Sequence, residues 1–337
     1  MKRSLLRLRI PLREPFVSAT GVIAEREIVA IRLEDDKGTP GWGEAAPLEP
    51  YDGVSVDDVW QALVDGPPAR DAPPHARTAW ELSELDLQAR RRGRPLGELG
   101  ADAIPVNMTI PAGPPDEVAS AAATGLRDGY SCFKLKVGLP DDVDRVAAVR
   151  EALGTWPALR LDANGAWSAA EAVARIGELA RFDLELVEQP CATLAELAEV
   201  RARVETPIAA DESIRTPEDV LEAARLGACD AVNVKLAGSG GFTRARDALR
   251  AAREAGLEPW LSSTLDGPWG VAASLQLASQ EHTTLACGLA TLDLFDARIS
   301  GVLARPQQGL LAVPAGPGLG VDVSDDVLAE VLVDRQD

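Results

Sequence analysis

The sequence predicts an α/β protein, a parallel barrel of alternating strands and helices preceded by a smaller α+β domain. Three observations lead there. From residue 104 onward, eight short apolar segments alternate with amphipathic stretches rich in Ala, Leu, Arg and Glu, the rhythm of a parallel (β/α) barrel. The first hundred residues follow a different rhythm, with strands first and helices after. The length of 337 residues also suits one barrel-sized unit plus an appendage. A doubly wound open sheet is the alternative. It usually has fewer units and a glycine-rich phosphate loop, and neither GxGxxG nor GxxxxGK[ST] occurs here.

The element order follows from local pattern. Residues 3–10, 26–34 and 41–46 read as strands, the last two joined by a turn at Asp35-Asp36-Lys37-Gly38. Helical patterns follow at 56–64 and 75–92, completing a capping domain over 1–100. The barrel is expected over 101–302. Its strands are predicted at 104–110, 132–137, 159–162, 184–188, 208–211, 231–235, 258–262 and 285–288. Helices are predicted at 116–128, 141–153, 168–180, 193–203, 217–226, 242–255 and 269–279. Ser168 ahead of Glu171, and Thr216-Pro217 ahead of Asp219, carry N-cap signals. The tail, 303–337, holds no further unit and is expected to fold back and complete the capping domain.

Composition narrows the function. Hydrophobic residues make up 46% and charged residues 26%, the balance of a soluble globular protein. No apolar run approaches the ~20 residues of a membrane span, and the start of the chain alternates basic and apolar residues as a strand does. A cytoplasmic location is the default expectation. The net charge of −19 argues against nucleic acid as a partner. Cys132, Cys191, Cys229 and Cys287 form no CxxC pair and read as buried thiols.

Chemistry in such a barrel sits at the C-terminal strand ends, and those ends carry one polar set. Strand two ends in Lys134-Leu135-Lys136, strand three in Asp162-Ala163-Asn164-Gly165 and strand four in Glu188-Gln189-Pro190. Strand five ends in Asp211-Glu212-Ser213, and strand six in Asn233-Val234-Lys235. Lys136, Asp162, Glu188, Asp211 and Lys235 follow one another at intervals of about one repeat, which places them on one ring. A lone Asp after a strand ordinarily caps a helix, and a lone Lys ordinarily reaches solvent. Neither role accounts for three carboxylates on successive strands with lysines on both sides, because buried charge is expensive unless paired or metal-bound. Three hard oxygen ligands suit Mg²⁺, with Mn²⁺ as a substitute; zinc would recruit His or Cys. The two histidines, His75 and His282, lie in the small domain and at the barrel's opposite end. Acid–base work therefore falls to lysines.

These strand ends, together with Gly41-Trp42-Gly43-Glu44-Ala45-Ala46-Pro47, resemble the enolase superfamily and, within it, the muconate-lactonising-enzyme-like subgroup. The resemblance implies a modified (β/α)7β barrel whose mouth is covered by an α+β capping domain built from both chain ends. It implies that Asp162, Glu188 and Asp211 bind Mg²⁺ and that Lys136 and Lys235 are the acid–base pair, with Lys134 helping to hold a substrate carboxylate. A mandelate-racemase-like site would want a His–Asp pair where Lys235 and Ser262-Ser263-Thr264 stand.

Segments 262–270 and 287–294 are similar to those of the o-succinylbenzoate synthase branch, which eliminates water from a cyclohexadiene carboxylate on the menaquinone pathway. That similarity implies that Ser262 and the backbone near Gly288 meet the succinyl carboxylate, with Asn164 a further substrate contact. Racemisation of N-acylamino acids or epimerisation of dipeptides is the alternative, and muconate cycloisomerisation the third. Residues 293–296 lack the paired-aspartate signature associated with dipeptide epimerases. Specificity is expected in capping loops around 15–21 and 49–54, where Arg13, Ser18, Tyr51 and Asp52 are candidate contacts with a small carboxylate substrate. The sequence does not fix the oligomeric state.

Overall fold

The computed structural model describes residues 1–337. Three strands open the chain: β1 (Lys2–Ser18), β2 (Gly21–Glu34) and β3 (Pro40–Ala45), paired antiparallel in that order. The turn between β2 and β3 falls where the sequence places it. Asp35 Oδ1 accepts from the N–H groups of Lys37 and Thr39, and Gly38 takes φ 80°. The hairpin of β1 and β2 runs much further than predicted. Pairing resumes at Phe16↔Ile23 and ends at Ser18↔Gly21, after an irregularity following Pro11. Residues 15–21 are therefore mostly the tip of a ribbon and not a loop. Pro11 and Pro15 sit in or beside the irregular stretch, where a missing N–H is tolerated.

Helices α1 (Glu49–Asp52), α2 (Val56–Val64) and α3 (Pro74–Arg91) follow. The sheet is buried on both faces. Leu6, Leu8, Ile10, Ile28 and Ala30 join the barrel's hydrophobic cluster, while Leu5, Val29, Ile31 and Leu33 pack with Val59, Leu63 and Ala79 of the helices. That is why Ile28–Ile31 is continuously apolar. A Cβ on Gly43 would lie 1.9 Å from the Ala79 carbonyl oxygen, and one on Gly41 would lie 2.3 Å from that of Ser83. Both glycines are required for α3 to lie directly on β3.

The barrel alternates strands and helices. After β4 (Ala103–Pro105), seven parallel strands follow: β5 (Met108–Ile110), β6 (Cys132–Lys136), β7 (Ala158–Asp162), β8 (Leu186–Glu188), β9 (Ile208–Ala210), β10 (Ala231–Val234) and β11 (Glu258–Leu261). The helices are α4 (Pro115–Arg127), α5 (Asp142–Leu153), α6 (Ala169–Leu179), α7 (Leu194–Arg201), α8 (Pro217–Leu226), α9 (Leu236–Ser239), α10 (Phe242–Glu254) and α11 (Pro268–Gln280). Capping boxes start α6 at Ser168 and α8 at Thr216, as the sequence signals, and also α7 at Thr193.

Two predicted strands differ. Segment 104–110 is split at Asn107: β4 pairs antiparallel with β12 (Leu310–Ala312), and only β5 joins the barrel sheet. Segment 285–288 is reduced to single bridges, Val106↔Cys287 and Ser262↔Gly288, which close the barrel. The Ala286 carbonyl accepts from Arg160 Nη1 instead of from a strand. At the end of the chain, α12 (Asp325–Val331) leads into β13 (Leu332–Gln336), which pairs antiparallel with β1.

Candidate active site

The strand register fixes how the polar ends meet. Lys136, Asp162 and Glu188 are direct neighbours across β6, β7 and β8. Glu188 then pairs with Ala209, and Ala209 with Ala231. Asp211 and Lys235 therefore stand two and four residues beyond the Lys136–Glu188 level. The expected single ring is a stagger, as a closed and tilted sheet requires. Asn233, level with Asp211, fills the inward position beneath Lys235.

The carboxylates of Asp162, Glu188 and Asp211 are buried, and one oxygen from each lies within 4.8 Å of the others. Lys134 and Lys136 approach from β6, and Lys235 from beyond β10. Lys134 Nζ is 2.8 Å from both Asp162 Oδ2 and Glu188 Oε2. Lys136 Nζ donates to Asp162 Oδ2 at 2.6 Å and to Asn164 Oδ1 at 2.9 Å. Lys235 Nζ donates to Asp211 Oδ1 and, at 2.7 Å, to the Tyr51 hydroxyl, which donates to the same Asp211 oxygen at 2.8 Å. Three cations thus face three anions where a packed core would hold none.

The electrostatics are uneven. Burial pushes Glu188 up to about 7, against the pull of Lys134. Burial also opposes ionisation of Asp162, but Lys134 and Lys136 hold it well below the usual carboxylate range. Burial would lower Lys134, yet Asp162 and Glu188 hold it well above the usual lysine range. Burial, followed by the Asp211 charge, keeps the Tyr51 phenol neutral.

A cavity of about 660 Å³ opens over this cluster. Lys134, Lys136, Lys235, Asn164 and Asp211 line it with Ser262, Ser263, Thr264, Gly288 and Thr291 of the barrel and Phe16, Ser18, Thr20 and Tyr51 of the cap. Three sequence expectations need correction. Arg13 does not line the cavity: its guanidinium donates to the Asp293 carbonyl and faces Asp296, because segment 295–296 bridges back to β1 at Leu12. Asp52 is spent within the cap, accepting from Leu48 and Val54 and pairing with His75 at 3.1 Å. Gly288 offers no free peptide group, since its N–H donates to Leu261 and its carbonyl accepts from Ser263. It offers room instead, because a Cβ there would come 2.4 Å from Ser262 Oγ. Asn164 stands on the cavity wall, its amide bonded to Lys136 through Oδ1 and to Glu212 through Nδ2.

Three supporting residues stand in the strand-end motifs with no role assigned to them from sequence. Asn233 Nδ2 donates to Glu188 Oε1 at 2.8 Å. Gln189, at φ 40°, accepts from the Asp211 N–H through Oε1. Glu212 holds Asn164 at 2.8 Å. Alternation along β10 could have pointed to Asn233, two residues before Lys235.

A family model described as "Enolase C-terminal domain-like" matches residues 117–327. The chain belongs to the enolase superfamily. Among its relatives, the o-succinylbenzoate synthase of Thermobifida fusca (strain YX) is 40% identical over 331 residues, covering 96% of this chain and 90% of that protein. The L-Ala-D/L-Glu epimerase of Bacillus subtilis (strain 168) is 30% identical, with 94% of each chain covered. The fold of N-succinyl Arg/Lys racemase from Bacillus cereus ATCC 14579 matches with a TM-score of 0.92 over 99% of this chain and 98% of that one, at 24% identity.

Membership of the enolase superfamily makes the chain an enzyme acting on a small molecule, with a two-domain fold of cap and barrel. The donor set fits a divalent ion on its own terms. It consists of three convergent, buried carboxylate oxygens, without a nitrogen or sulfur ligand among them.

Proposed function

We propose that this chain is a cytoplasmic, Mg²⁺-dependent o-succinylbenzoate synthase. It would convert 2-succinyl-6-hydroxy-2,4-cyclohexadiene-1-carboxylate to o-succinylbenzoate and water, on the route to menaquinone. The observation that carries the reading is the character of the cavity wall. Three lysines and the hydroxyls of Ser262, Ser263, Thr264 and Thr291 line it, and Asp211 of the carboxylate triad is its single acid. Such a wall suits a substrate with two carboxylates and no ammonium group. The 40% identity to the Thermobifida fusca synthase supports the same choice.

Mg²⁺ held by Asp162, Glu188 and Asp211 would stabilise negative charge developing on the substrate carboxylate. Lys134, fixed between Asp162 and Glu188, would bind that carboxylate as an ammonium. Lys136 Nζ would take the α-proton; as the C–O bond breaks, the same proton goes to the departing hydroxyl, which leaves as water. One base suffices because a syn elimination uses one face. Lys235, on the other flank of the triad, would hold positive charge over the ring. Ser262 Oγ accepts from Trp260 Nε1 at 3.2 Å, so its own proton is available to the succinyl carboxylate.

Racemisation of N-acylamino acids remains a second reading, favoured by the two lysines on opposite flanks of the triad. Dipeptide epimerisation fits less well: Asp293, which could bind an ammonium, lies outside the cavity wall and pairs with Arg305 at 3.0 Å. The test is dehydration of the cyclohexadiene substrate with added Mg²⁺. Chelation should abolish turnover and Mg²⁺ should restore it. Full activity in a metal-free preparation would end the proposal.

A further inference from the structure

The turn that follows β7 carries more than a metal ligand. Asn164 takes a left-handed φ of 46° and is followed by Gly165 at φ 73°. Its N–H donates to Asp162 Oδ1 at 3.0 Å, closing the turn on that side chain. This conformation, which Asn tolerates better than most residues, sets the amide between Lys136 and Glu212. Oδ1 accepts from Lys136 Nζ at 2.9 Å, and Nδ2 donates to Glu212 Oε1 at 2.8 Å.

The two ends of an amide are not equivalent, since one only accepts and the other only donates. Glu212 Oε1 acts as an acceptor, so the NH₂ end of the amide is the end that meets it. The carbonyl end is thereby turned toward Lys136, where it accepts one Nζ proton. Asp162 Oδ2 accepts another at 2.6 Å. Two N–H directions of Nζ are then fixed, and the direction left for the lone pair of the amine acting as base is set by geometry. Without an acceptor at 212 the amide is free to turn over and present its NH₂ group to Lys136, which has no acceptor to meet it.

Glu212 itself is poorly explained as a structural residue. Its second oxygen, Oε2, is buried with no hydrogen-bond partner, an arrangement that costs stability. Its side chain sits beside a second chamber of about 540 Å³ under the cap. A core or capping role would be met by a satisfied or apolar group.

We infer that Glu212 is a positioning residue for Lys136, acting through the orientation it imposes on the Asn164 amide. Glu212 touches neither Lys136 nor the triad carboxylates through any hydrogen bond in the structure; its one hydrogen bond goes to Asn164. The inference rests on the reading of Lys136 as the base, and it concerns how that base is aimed.

A double-mutant cycle on the full chain tests it, with kcat, KM and Mn²⁺ affinity measured for each variant and Mn²⁺ affinity read by titration in the absence of substrate. Glu212→Leu, which leaves no acceptor at 212, should lower kcat by about 10- to 100-fold, the usual cost of losing an outer hydrogen-bond partner. KM and Mn²⁺ affinity should stay at wild-type values. Asn164→Ala should lose at least as much kcat, and the double variant should be no worse than Asn164→Ala alone, because both act through one contact. Glu212→Asp keeps an acceptor one methylene further from Asn164 and should fall between wild type and Glu212→Leu. It replaces Glu212→Leu in the cycle if that variant does not fold. Multiplying losses in the double variant, an unchanged kcat in Glu212→Leu, or a loss confined to KM or Mn²⁺ affinity would overturn the inference. Failure of the synthase reading looks different: the wild type would then racemise instead of dehydrating, and the same cycle would be run on that reaction.

Discussion

Lys136 and Lys235 reach one cavity from opposite flanks of the carboxylate triad, yet their surroundings differ. Lys136 is held by Asp162 and Asn164, whereas Lys235 is held by Asp211 and the Tyr51 hydroxyl. In a one-base elimination only the first must exchange a proton. Lys136→Ala should reduce dehydration by the ~10²–10⁴-fold typical of a general acid–base group. Lys235→Arg keeps a displaced positive charge and should retain more dehydration than Lys136→Arg; equal losses would contradict the one-base scheme. At the triad, Asp211→Asn keeps an acceptor for Tyr51 and Lys235 while removing a charge. The variant should fold, with Mn²⁺ affinity falling by more than the about 10- to 100-fold seen when only an outer partner is lost. Unchanged Mn²⁺ affinity would remove Asp211 from the ligand set.

At the scale of elements, the segment Gly41-Trp42-Gly43-Glu44 shows how cap and barrel are joined. Trp42 stacks on Trp269 with ring centroids 4.9 Å apart. Glu44 caps α11, accepting from the N–H groups of Gly267 at 2.6 Å and Gly270 at 3.2 Å. Burial, then the nearby Asp266 charge, pushes the Glu44 carboxyl up to about 8, and buried Arg26 also lies near this pair. A carboxyl raised on folding contributes stability at low pH that is lost as pH rises from its ordinary 4.5 through about 8. Melting temperatures across that window should therefore fall more steeply in wild type than in Glu44→Gln, and parallel slopes would show that Glu44 does not titrate there. Gly43→Ala forces a Cβ against the Ala79 carbonyl and should destabilise by ~1–3 kcal/mol in a denaturant melt, as overpacking does. Very little of this was legible in the sequence. The motif was visible, but the partners of Glu44 lie 223 and 226 residues away, and nothing local announces them.

At the scale of the molecule, the alternation of apolar strands and amphipathic helices was legible because the barrel strands are buried and most barrel helices show one face to the core, α11 being buried all round. The strand ends were legible for a related reason: charges recurring at regular intervals in buried positions are too costly to persist without a partner or a metal. What the pattern could not carry was non-local. Pro11 and Pro15 hid the full length of the β1–β2 ribbon, and Arg160 took the carbonyl of Ala286 that an eighth strand would have used. The occupied amide of Asn164 and the occupied peptide of Gly288 depend on neighbours brought together only by barrel closure. The ribbon tip and α1 bring Phe16, Ser18, Thr20 and Tyr51 over the mouth, so substrate choice is made by the assembled molecule and not by the strand ends alone. The most direct measurement is therefore the ratio of kcat/KM for dehydration of the cyclohexadiene substrate to kcat/KM for racemisation across a panel of N-succinylamino acids, in the same Mg²⁺-loaded preparation. Dehydration should exceed every racemisation by a wide margin; racemisation of any panel member faster than dehydration, or no dehydration at all, would contradict the assignment.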